Sequence, residues 1–120
     1  THLTWMFDGL KKNGAKWDVI GLSLYPTDST WKNDTDSCLA NMSTLAITYG
    51  KKVMLCEIGM PWDSNNAAAV TKKMVDGCKN IKQCLGVFYW EPEAYNGWKS
   101  YSLGAFDKSG KPTAAMNAFK

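Results

Sequence analysis

The sequence predicts an α/β fold of parallel strands joined by helices. Three apolar runs of strand length, residues 19–25, 53–59 and 86–91, begin about 33 or 34 residues apart. A helical pattern of apolar residues fills each interval between them. Connections of this length join parallel strands through right-handed crossovers, so helices are expected to cover the sheet. The expected order of elements is αβαβαβα.

Local patterns define the individual strands and helices. Each strand run is almost continuously apolar and rich in Val, Ile, Leu, Phe or Tyr, which is typical of buried parallel strands. The second helix is expected to stop at Gly50, the third to be capped by Ser64 or Asn65, and the last to carry Pro112 in its first turn. The predicted helices are residues 3–12, 34–49, 64 or 65 to 78, and 112–119.

Length and composition indicate one globular domain, residues 1–120. The chain is 45% hydrophobic and 12% aromatic, which provides enough apolar surface for a core. No apolar run approaches the roughly 20 residues that cross a bilayer, and the first residues lack the pattern of a signal peptide. We therefore expect a chain that is soluble or already processed, with no membrane partner.

The charged residues narrow the class of ligand. All fourteen basic residues are lysine, and the net charge is only +3. The lysines form no single patch, so nucleic acid is not an expected partner. The absence of arginine removes the side chain that usually binds phosphates and carboxylates in two places, which favours neutral ligands. No glycine-rich phosphate loop follows the first strand, so no nucleotide cofactor is expected.

The cysteines and the single histidine do not form a recognisable metal site. Cys38, Cys56, Cys78 and Cys84 include no Cys-x-x-Cys pair, and His2 stands alone, so no metal is expected. Cys78 and Cys84 flank the end of a predicted helix. Two interpretations stay open for them: a disulfide in an oxidising compartment, or buried free thiols.

The three glutamates of the chain, Glu57, Glu91 and Glu93, all lie at or just beyond the ends of predicted strands. The carboxyl ends of parallel strands meet at one edge of the sheet, and that edge binds ligands in open sheets and in barrels. Tyr25 and several tryptophans follow strands at the same edge. Carboxylates beside aromatic rings suit a site that cleaves or binds sugars.

Glu57 is the strongest candidate for a catalytic residue. An ionisable side chain at the end of the apolar run 53–56 is costly unless donors surround it or function requires it. A glycosidase nucleophile is anionic near neutral pH, and Tyr25 on the adjacent strand is placed to donate a hydrogen bond to it. The structural alternative is a carboxylate that caps a neighbouring backbone group or meets solvent.

Four tryptophans near these glutamates are candidates for sugar binding. Trp90 and Trp62 can offer flat apolar faces to pyranose rings, and Trp98 and Trp31 can extend such a platform. The alternative for each is packing in the core or in a loop. The grouping of Trp90 and Trp62 at one rim favours a role in binding.

The remaining aromatic and acidic residues are assigned more simply. Successive residues of a strand point to opposite faces, so Trp90 and Glu91 cannot both point inward on an ideal strand. Glu91 is interpreted either as an acceptor for sugar hydroxyls or as a structural residue. Glu93 is expected in a loop, and Trp5 and Trp17 are expected in the core.

Five segments of the chain carry a resemblance to a known family. They are Trp5-Met-Phe-Asp-Gly-Leu, Trp17-Asp-Val-Ile-Gly-Leu-Ser-Leu-Tyr-Pro, Tyr49-Gly-Lys-Lys-Val-Met-Leu-Cys-Glu-Ile-Gly-Met-Pro-Trp, Gly86-Val-Phe-Tyr-Trp-Glu-Pro-Glu and Ala105-Phe-Asp-Lys-Ser-Gly-Lys-Pro. In this order they resemble the last third of the family 53 glycoside hydrolases, the endo-β-1,4-galactanases. The resemblance covers nearly the whole chain.

The resemblance implies a retaining TIM (β/α)8 enzyme that cuts β-1,4-galactan in pectic arabinogalactan, with this chain carrying strands six, seven and eight. It implies that Glu57 is the nucleophile, that Tyr25 holds it, and that Trp90 is the floor of the subsite at the scissile sugar. It also implies an extracellular or periplasmic location. The implied partners are a β-linked galactan or related polysaccharide, and the remainder of the barrel or another copy of the chain.

The chain departs from the family pattern at the acid/base residue. In the family this glutamate lies in an Asn-Glu pair that ends strand four, and no Asn-Glu pair occurs here. A retaining mechanism requires two carboxyls about 5 to 5.5 Å apart. The family gives that task to neither Glu91 nor Glu93. The isolated chain is therefore expected to be inactive or nearly so.

Three hypotheses about function remain open on the sequence. The first is the carboxy-terminal part of a galactanase, active within the whole barrel or with the other strands supplied by another chain. The second is a non-catalytic carbohydrate-binding or interaction module that associates through its open sheet edges. The third is a glycosidase that acts on another β-linked polysaccharide.

Overall fold

A computed structural model describes residues 1–120 and contains a three-stranded parallel sheet packed against helices. The strand order is β1-β2-β3, with both neighbouring pairs parallel. The predicted α/β fold class with parallel strands is therefore confirmed. The elements are α1 His2–Lys12, β1 Val19–Leu24, α2 Trp31–Tyr49, β2 Lys52–Ile58, α3 Ala67–Lys79 and β3 Cys84–Val87, followed by two short 3₁₀ segments, Trp98–Ser100 and Ala114–Phe119.

The third strand is shorter and earlier than the predicted 86–91. Regular pairing ends at Val87, although the amide of Phe88 still donates to the carbonyl of Leu55 at 2.9 Å and that of Trp90 to Ile58 at 3.0 Å. Glu91 then adopts a left-handed backbone with φ of 46°, which no strand can continue. The chain therefore leaves the sheet gradually, and Trp90 and Glu91 lie outside the regular strand.

Three helix boundaries also differ from prediction. Helix α2 begins at Trp31, three residues early, because the first turn forms on Thr30, whose hydroxyl donates to Asp34 at 2.6 Å. Helix α3 begins later, at Ala67 after Asn66; the Ser64 hydroxyl donates to Asp28 and accepts from the amide of Asn66, in a turn that precedes the helix. The last helix, predicted over 112–119, is a 3₁₀ segment over Ala114–Phe119.

One face of the sheet packs on helices and the other is open. Along β1, Ile20 is buried whereas Val19, Gly21 and Ser23 are exposed, which is the alternation of a strand covered on one side. Helix α2 contacts β1 and β2, and α3 contacts β3 and α2. The most deeply buried apolar side chains are Ile20, Met42, Leu45, Val53, Leu55, Ile58, Met60, Val70 and Met74.

A register shift in β2 interrupts this alternation. Leu22 pairs with Leu55, but the next residue of β1, Ser23, pairs with Glu57, so Cys56 is an extra residue on β2. A Cβ on Gly21 would lie 2.6 Å from the Cys56 sulfur, which places Cys56 on the open face. Beyond the shift, Ile58 is fully buried against the helices. Glu57 consequently also falls on the open face, beside Cys56.

The two tryptophans predicted in the core have different environments. Trp17 packs against the core and lies within 5.5 and 6.0 Å of the rings of Phe7 and Tyr49, as ring centroids. The prediction for Trp5 is wrong, because its side chain is 78% exposed. Helix α1 turns Phe7 inward, and a residue two positions away on a helix points to the opposite side.

The four cysteines are free thiols, with Cys38 and Cys78 buried, Cys84 half-buried and Cys56 exposed. Of the two interpretations left open for Cys78 and Cys84, the structure has the free thiols. Burial raises the pKa of the Cys38 thiol to about 11, and the nearby Cys84 adds to the rise.

None of the helices combines the length and the apolar character that a bilayer crossing requires.

Leu55 in β2 tests the packing of the sheet on its helices. Truncation to alanine leaves a cavity in a fully buried layer, so we expect Leu55→Ala to lower the free energy of unfolding by about 2–5 kcal/mol. Leu85→Ala in β3 is the matched control, because this leucine is 55% exposed and its loss should cost about 0.5 kcal/mol or less. Urea titrations followed by circular dichroism measure both, and equal losses would contradict the assignment of the buried face.

Candidate active site

Tyr25 and Glu57 meet at the carboxyl ends of β1 and β2. Tyr25 directly follows β1, and Glu57 is turned to the same open face by the register shift in β2. The Tyr25 hydroxyl donates a hydrogen bond to Glu57 Oε2 at 2.6 Å. The contact expected from the sequence is therefore present. A carboxylate held by a phenol at the carboxyl edge of a parallel sheet is suited to act as a nucleophile.

Gly59 leaves the space that the ring of Tyr25 occupies. A Cβ at this position would lie 2.9 and 3.1 Å from two ring carbons of Tyr25 and 3.1 Å from the carbonyl oxygen of Leu103. The absence of a side chain at Gly59 therefore lets the tyrosine ring pack closely against the end of β2. The loop that carries Leu103 also packs closely against Gly59.

The protonation state of Tyr25 favours its role as a donor. Burial raises the pKa of its hydroxyl above 10.0, and the hydrogen bond to Glu57 and the neighbouring Tyr101 raise it further. The phenol therefore stays protonated at neutral pH and well above it. Glu57 thus keeps a neutral donor at one of its two oxygens.

Tyr89 joins the loops around the site. Its hydroxyl donates to the carbonyl oxygen of Leu103 at 2.9 Å and accepts from the amide of Met60 at 3.3 Å. Burial raises the pKa of Tyr89 to about 12, with a further rise from Tyr101 and an opposing effect of the Met60 amide. The end of β2 and the segment around Leu103 are thus fixed to the chain that leaves β3.

The loop after β3 has a strained backbone. Glu91, Asn96, Lys99 and Ser100 are non-glycine residues with φ between 46° and 57°, a conformation that costs about 1–3 kcal/mol per residue. Within this loop a Cβ on Gly104 would lie 2.5 Å from the carbonyl oxygen of Ala94. Tight backbone packing of this kind maintains conformations that an isolated loop would not keep.

The aromatic candidates are placed at different parts of the rim. Trp90 is 47% exposed beyond β3 and carries no lysine over its ring. Lys99 lies 5.0 Å from the ring centre of Trp98, and Lys108 lies 5.8 Å from that of Trp62. Of these three tryptophans at the rim, Trp90 is consequently the one whose faces are most free for a sugar ring.

Two clefts lie beside this arrangement. Glu91 and Trp98 line one of them, within the loop after β3. Trp62 and Tyr101 line another, between the loops after β2 and β3. Glu91, Trp98 and Trp62 are thus divided between neighbouring clefts of one rim, and Trp90 lines neither cleft. Glu93 lies in the loop, as predicted.

Trp31 does not extend the platform. It is the first residue of α2, packs half-buried against the core, and has Lys73 of α3 at 5.8 Å from its ring centre. No three His, Cys, Asp or Glu side chains converge in a way that could hold a metal ion.

Tyr101 is the site residue that sequence reasoning missed. It follows the 3₁₀ segment Trp98–Ser100, and its hydroxyl lies 3.5 Å from the carbonyl oxygen of Trp90, to which it donates. The charges of Glu57 and Glu91 both act on it. In the sequence Tyr101 is only a tyrosine in a polar loop. Its position at the strand ends depends on the geometry of that loop, which the sequence pattern does not indicate.

The raised pKa values of the tyrosines give a pH dependence of stability. Burial raises the pKa of Tyr89 and Tyr49 from 10.0 to about 12, and Asp8 contributes at Tyr49. Between these values the unfolded chain has lost phenolic protons that the folded chain retains, so the free energy of unfolding should fall as the pH rises above about 10. Urea titrations on both sides of that pH measure the slope.

Tyr89→Phe is expected to make this slope shallower, because one buried phenol no longer titrates. Tyr95→Phe is the control, because it also removes one phenol and Tyr95 is 47% exposed. A slope that is unchanged in Tyr89→Phe would contradict the role of burial at this tyrosine.

Comparison with known proteins places this chain in a family. The sequence model of Glycosyl hydrolase family 53 matches residues 1–80. An uncharacterized protein in the bgaB 5′ region of Niallia circulans is 36% identical over an alignment of 124 residues. The alignment covers 82% of this chain and 33% of that protein. The endo-beta-1,4-galactanase of Bacillus subtilis (strain 168) is 29% identical over 107 residues, covering 69% of this chain and 24% of that protein. The chain thus spans a third or less of the length of these relatives.

Solved structures share the fold at low sequence identity. A fungal beta-1,4-galactanase superposes with a TM-score of 0.78 and 18% identity, covering 98% of this chain and 43% of the other. A GH128 endo-beta-1,3-glucanase from Amycolatopsis mediterranei superposes with a TM-score of 0.67 and 14% identity, covering 98% and 49%. The predicted likeness of the three strands to part of a TIM-barrel galactanase is confirmed. The chain belongs to glycosyl hydrolase family 53.

Proposed function

We propose that this chain provides the nucleophile side of a retaining β-1,4-galactan hydrolase. The observation that carries the proposal is the 2.6 Å hydrogen bond from Tyr25 to Glu57 on the open face of the sheet, at the carboxyl ends of the strands. Membership of a family that includes endo-beta-1,4-galactanases supports galactan as the substrate. Trp90 would lie under the sugar whose bond is cut.

In the proposed reaction, a carboxylate oxygen of Glu57 attacks the anomeric carbon of a galactosyl residue. The bond from that carbon to the leaving oxygen breaks, and the leaving oxygen takes the electron pair and a proton from a general acid. The result is a glycosyl ester on Glu57, which water then hydrolyses. Tyr25 orients the carboxylate before attack and remains a neutral donor while the charge on Glu57 is lost.

The general acid of this scheme comes from outside the three strands. A retaining mechanism requires a second carboxyl about 5 to 5.5 Å from the first, and the chain contains no Asn-Glu pair of the kind the family uses. The outer edges of β1 and β3 have no strand partners, so further strands can extend the sheet on both sides. We propose that the acid is carried by such strands, from the remainder of a barrel or from another chain.

The location follows from the substrate in this proposal. Pectic galactan is a polymer that does not cross the cytoplasmic membrane, so a hydrolase that cuts it internally works outside that membrane. We therefore propose an extracellular or periplasmic location.

A saccharide-binding module is the second candidate function. It is favoured by the exposed side chain of Trp90 and by the clefts that Trp62 and Trp98 line at the same rim. In this case Trp90, Trp62 and Trp98 would hold a β-linked polysaccharide that the chain does not cut. The two candidates differ in whether Glu57 forms a covalent bond to the sugar.

An activated fluorosugar separates the two candidates. A 2,4-dinitrophenyl 2-deoxy-2-fluoro-β-galactobioside carries a leaving group that departs without protonation, and its fluorine slows hydrolysis of the ester. We therefore expect one glycosyl unit on Glu57, detected by mass spectrometry of the intact chain and of its peptides. Glu57→Gln should abolish the label, whereas Glu93→Gln, the matched change in the loop, should retain it.

Other outcomes of this experiment decide against the hydrolase. A label on a residue other than Glu57 would contradict the assigned nucleophile. Binding of the galactobioside in calorimetry without any label would favour the binding module.

Gly59→Ala tests the dependence of Glu57 on the position of Tyr25. The new Cβ would lie 2.9 Å from the Tyr25 ring, so the ring has to shift from the position in which its hydroxyl donates to Glu57. We expect labelling of Glu57 to slow by about tenfold or more, since displacements near 1 Å carry penalties of about a hundredfold. Gly9→Ala in α1, where nothing lies within 4 Å, is the control. Equal labelling rates in the two variants would refute the dependence.

A further inference from the structure

Four lysines that are spread along the sequence lie at the amino edge of the sheet, where the three strands begin. They are Lys16 before β1, Lys51 directly before β2, Lys52 at the start of β2 and Lys82 two residues before β3. Neighbouring strands lie about 5 Å apart, so the parallel order brings the starts of all three strands side by side. The expectation that the lysines form no single patch is therefore wrong at this edge.

The chain itself does not neutralise these lysines. Its two ion pairs join lysines of α3 to Asp36 and Asp76, and neither involves the amino edge. Other lysines occupy the last turns of α1 and α3, where the negative end of a helix dipole stabilises a positive charge. Lys16, Lys52 and Lys82 are exposed and lie outside those turns, so the helix dipoles do not account for them.

A cleft of about 390 Å³ opens at this edge between the end of α1 and the start of β2. The half-buried rings of Trp17 and Tyr49 line it. Its volume is in the range of small-molecule sites, and an excess of one sign of charge in a cleft attracts the opposite sign. The lining has an excess of two positive charges, because it contains three lysines and one aspartate, which are Lys11, Lys16, Lys51 and Asp18.

The two parts of this lining favour an anionic sugar. A lysine ammonium group donates to a carboxylate as a compact point charge, and an aromatic ring packs against the apolar C–H face of a sugar. An inorganic phosphate would use the lysines and leave the rings unused. The chain also has no arginine, the side chain that binds phosphates in two places. A uronic acid has both a sugar ring and a carboxylate, so it matches both parts.

We propose that the cleft at the amino edge binds uronate residues of an acidic polysaccharide. The seven residues of β2 span about 20 Å, so the cleft is separated by roughly that length from Tyr25 and Glu57 at the carboxyl edge. An acidic polymer held at one edge leaves the other edge free for a neutral galactan branch. The identification of the polymer as pectic rests on the proposed function, whereas the cleft and its charges do not involve Glu57.

Binding of trigalacturonate, followed by NMR, tests this inference. The six tryptophans give six indole N–H resonances, and Trp17→Phe identifies the resonance of the ring that lines the cleft. We expect trigalacturonate to shift this resonance until the site is saturated. Its trimethyl ester has the same rings without the charges and should leave the resonance in place. Added salt should weaken the binding, because the exposed charges are screened.

The double variant Lys16→Gln/Lys51→Gln should raise the Kd for trigalacturonate by about fivefold or more, because two of the cleft's cations are lost. The matched control is Lys32→Gln/Lys111→Gln, which removes the same charge from two exposed lysines outside this edge. The control should keep the wild-type Kd to within about twofold, because charges far from the cleft are screened.

Several results would overturn the assignment. They are an unmoved Trp17 resonance, an equal shift with the trimethyl ester, and equal weakening in the two double variants. A short thymidine oligonucleotide of equal charge that binds the cleft as tightly as trigalacturonate would also overturn it, because the cleft would then select charge and not sugar. If the fluorosugar leaves Glu57 unlabelled, the proposed function fails, while trigalacturonate should still bind the cleft.

Discussion

The register shift at Cys56 is the constraint on which the site depends. Without the extra residue in β2, alternation would send Glu57 into the layer between sheet and helices and Ile58 to the open face. A carboxylate in that layer would be desolvated among apolar side chains, at a cost of several kcal/mol. The shift instead buries Ile58 completely and turns Glu57 toward Tyr25. Gly21 permits it, because any side chain at that position would collide with the Cys56 sulfur.

The rest of the rim is built around the pair that this shift creates. Gly59 lets the Tyr25 ring pack closely on the end of β2, and the Tyr89 hydroxyl ties the Leu103 segment to the Met60 amide. These are contacts between loops that follow different strands, so the site is held by the carboxyl edge as a whole. The strained turns after β3 are tolerated because this framework fixes their ends. The same contacts therefore stabilise the rim and position the side chains of the site.

Sequence reasoning predicted what depends on local pattern and missed what depends on a partner strand or loop. Strands β1 and β2 and helix α2 were predicted to within a few residues, because their apolar spacing is set by their own burial. The register shift could not be predicted, since the run 53–56 is apolar throughout and the extra residue is accommodated by Gly21 on another strand. Tyr101 was missed because only the fold of its loop brings its hydroxyl to the carbonyl of Trp90. Trp5 was misassigned because a tryptophan was assumed to be buried without following the helix face set by Phe7.

The structure of the chain in complex with a β-1,4-linked galactose oligosaccharide decides whether Glu57 is placed to attack a bound sugar. We expect one galactose ring to lie on Trp90 with its anomeric carbon about 3 to 3.5 Å from a Glu57 oxygen, while the Tyr25 hydroxyl still donates to the other oxygen. A saccharide bound elsewhere on the chain, or a Glu57 carboxylate turned away from both Tyr25 and the sugar, would contradict it.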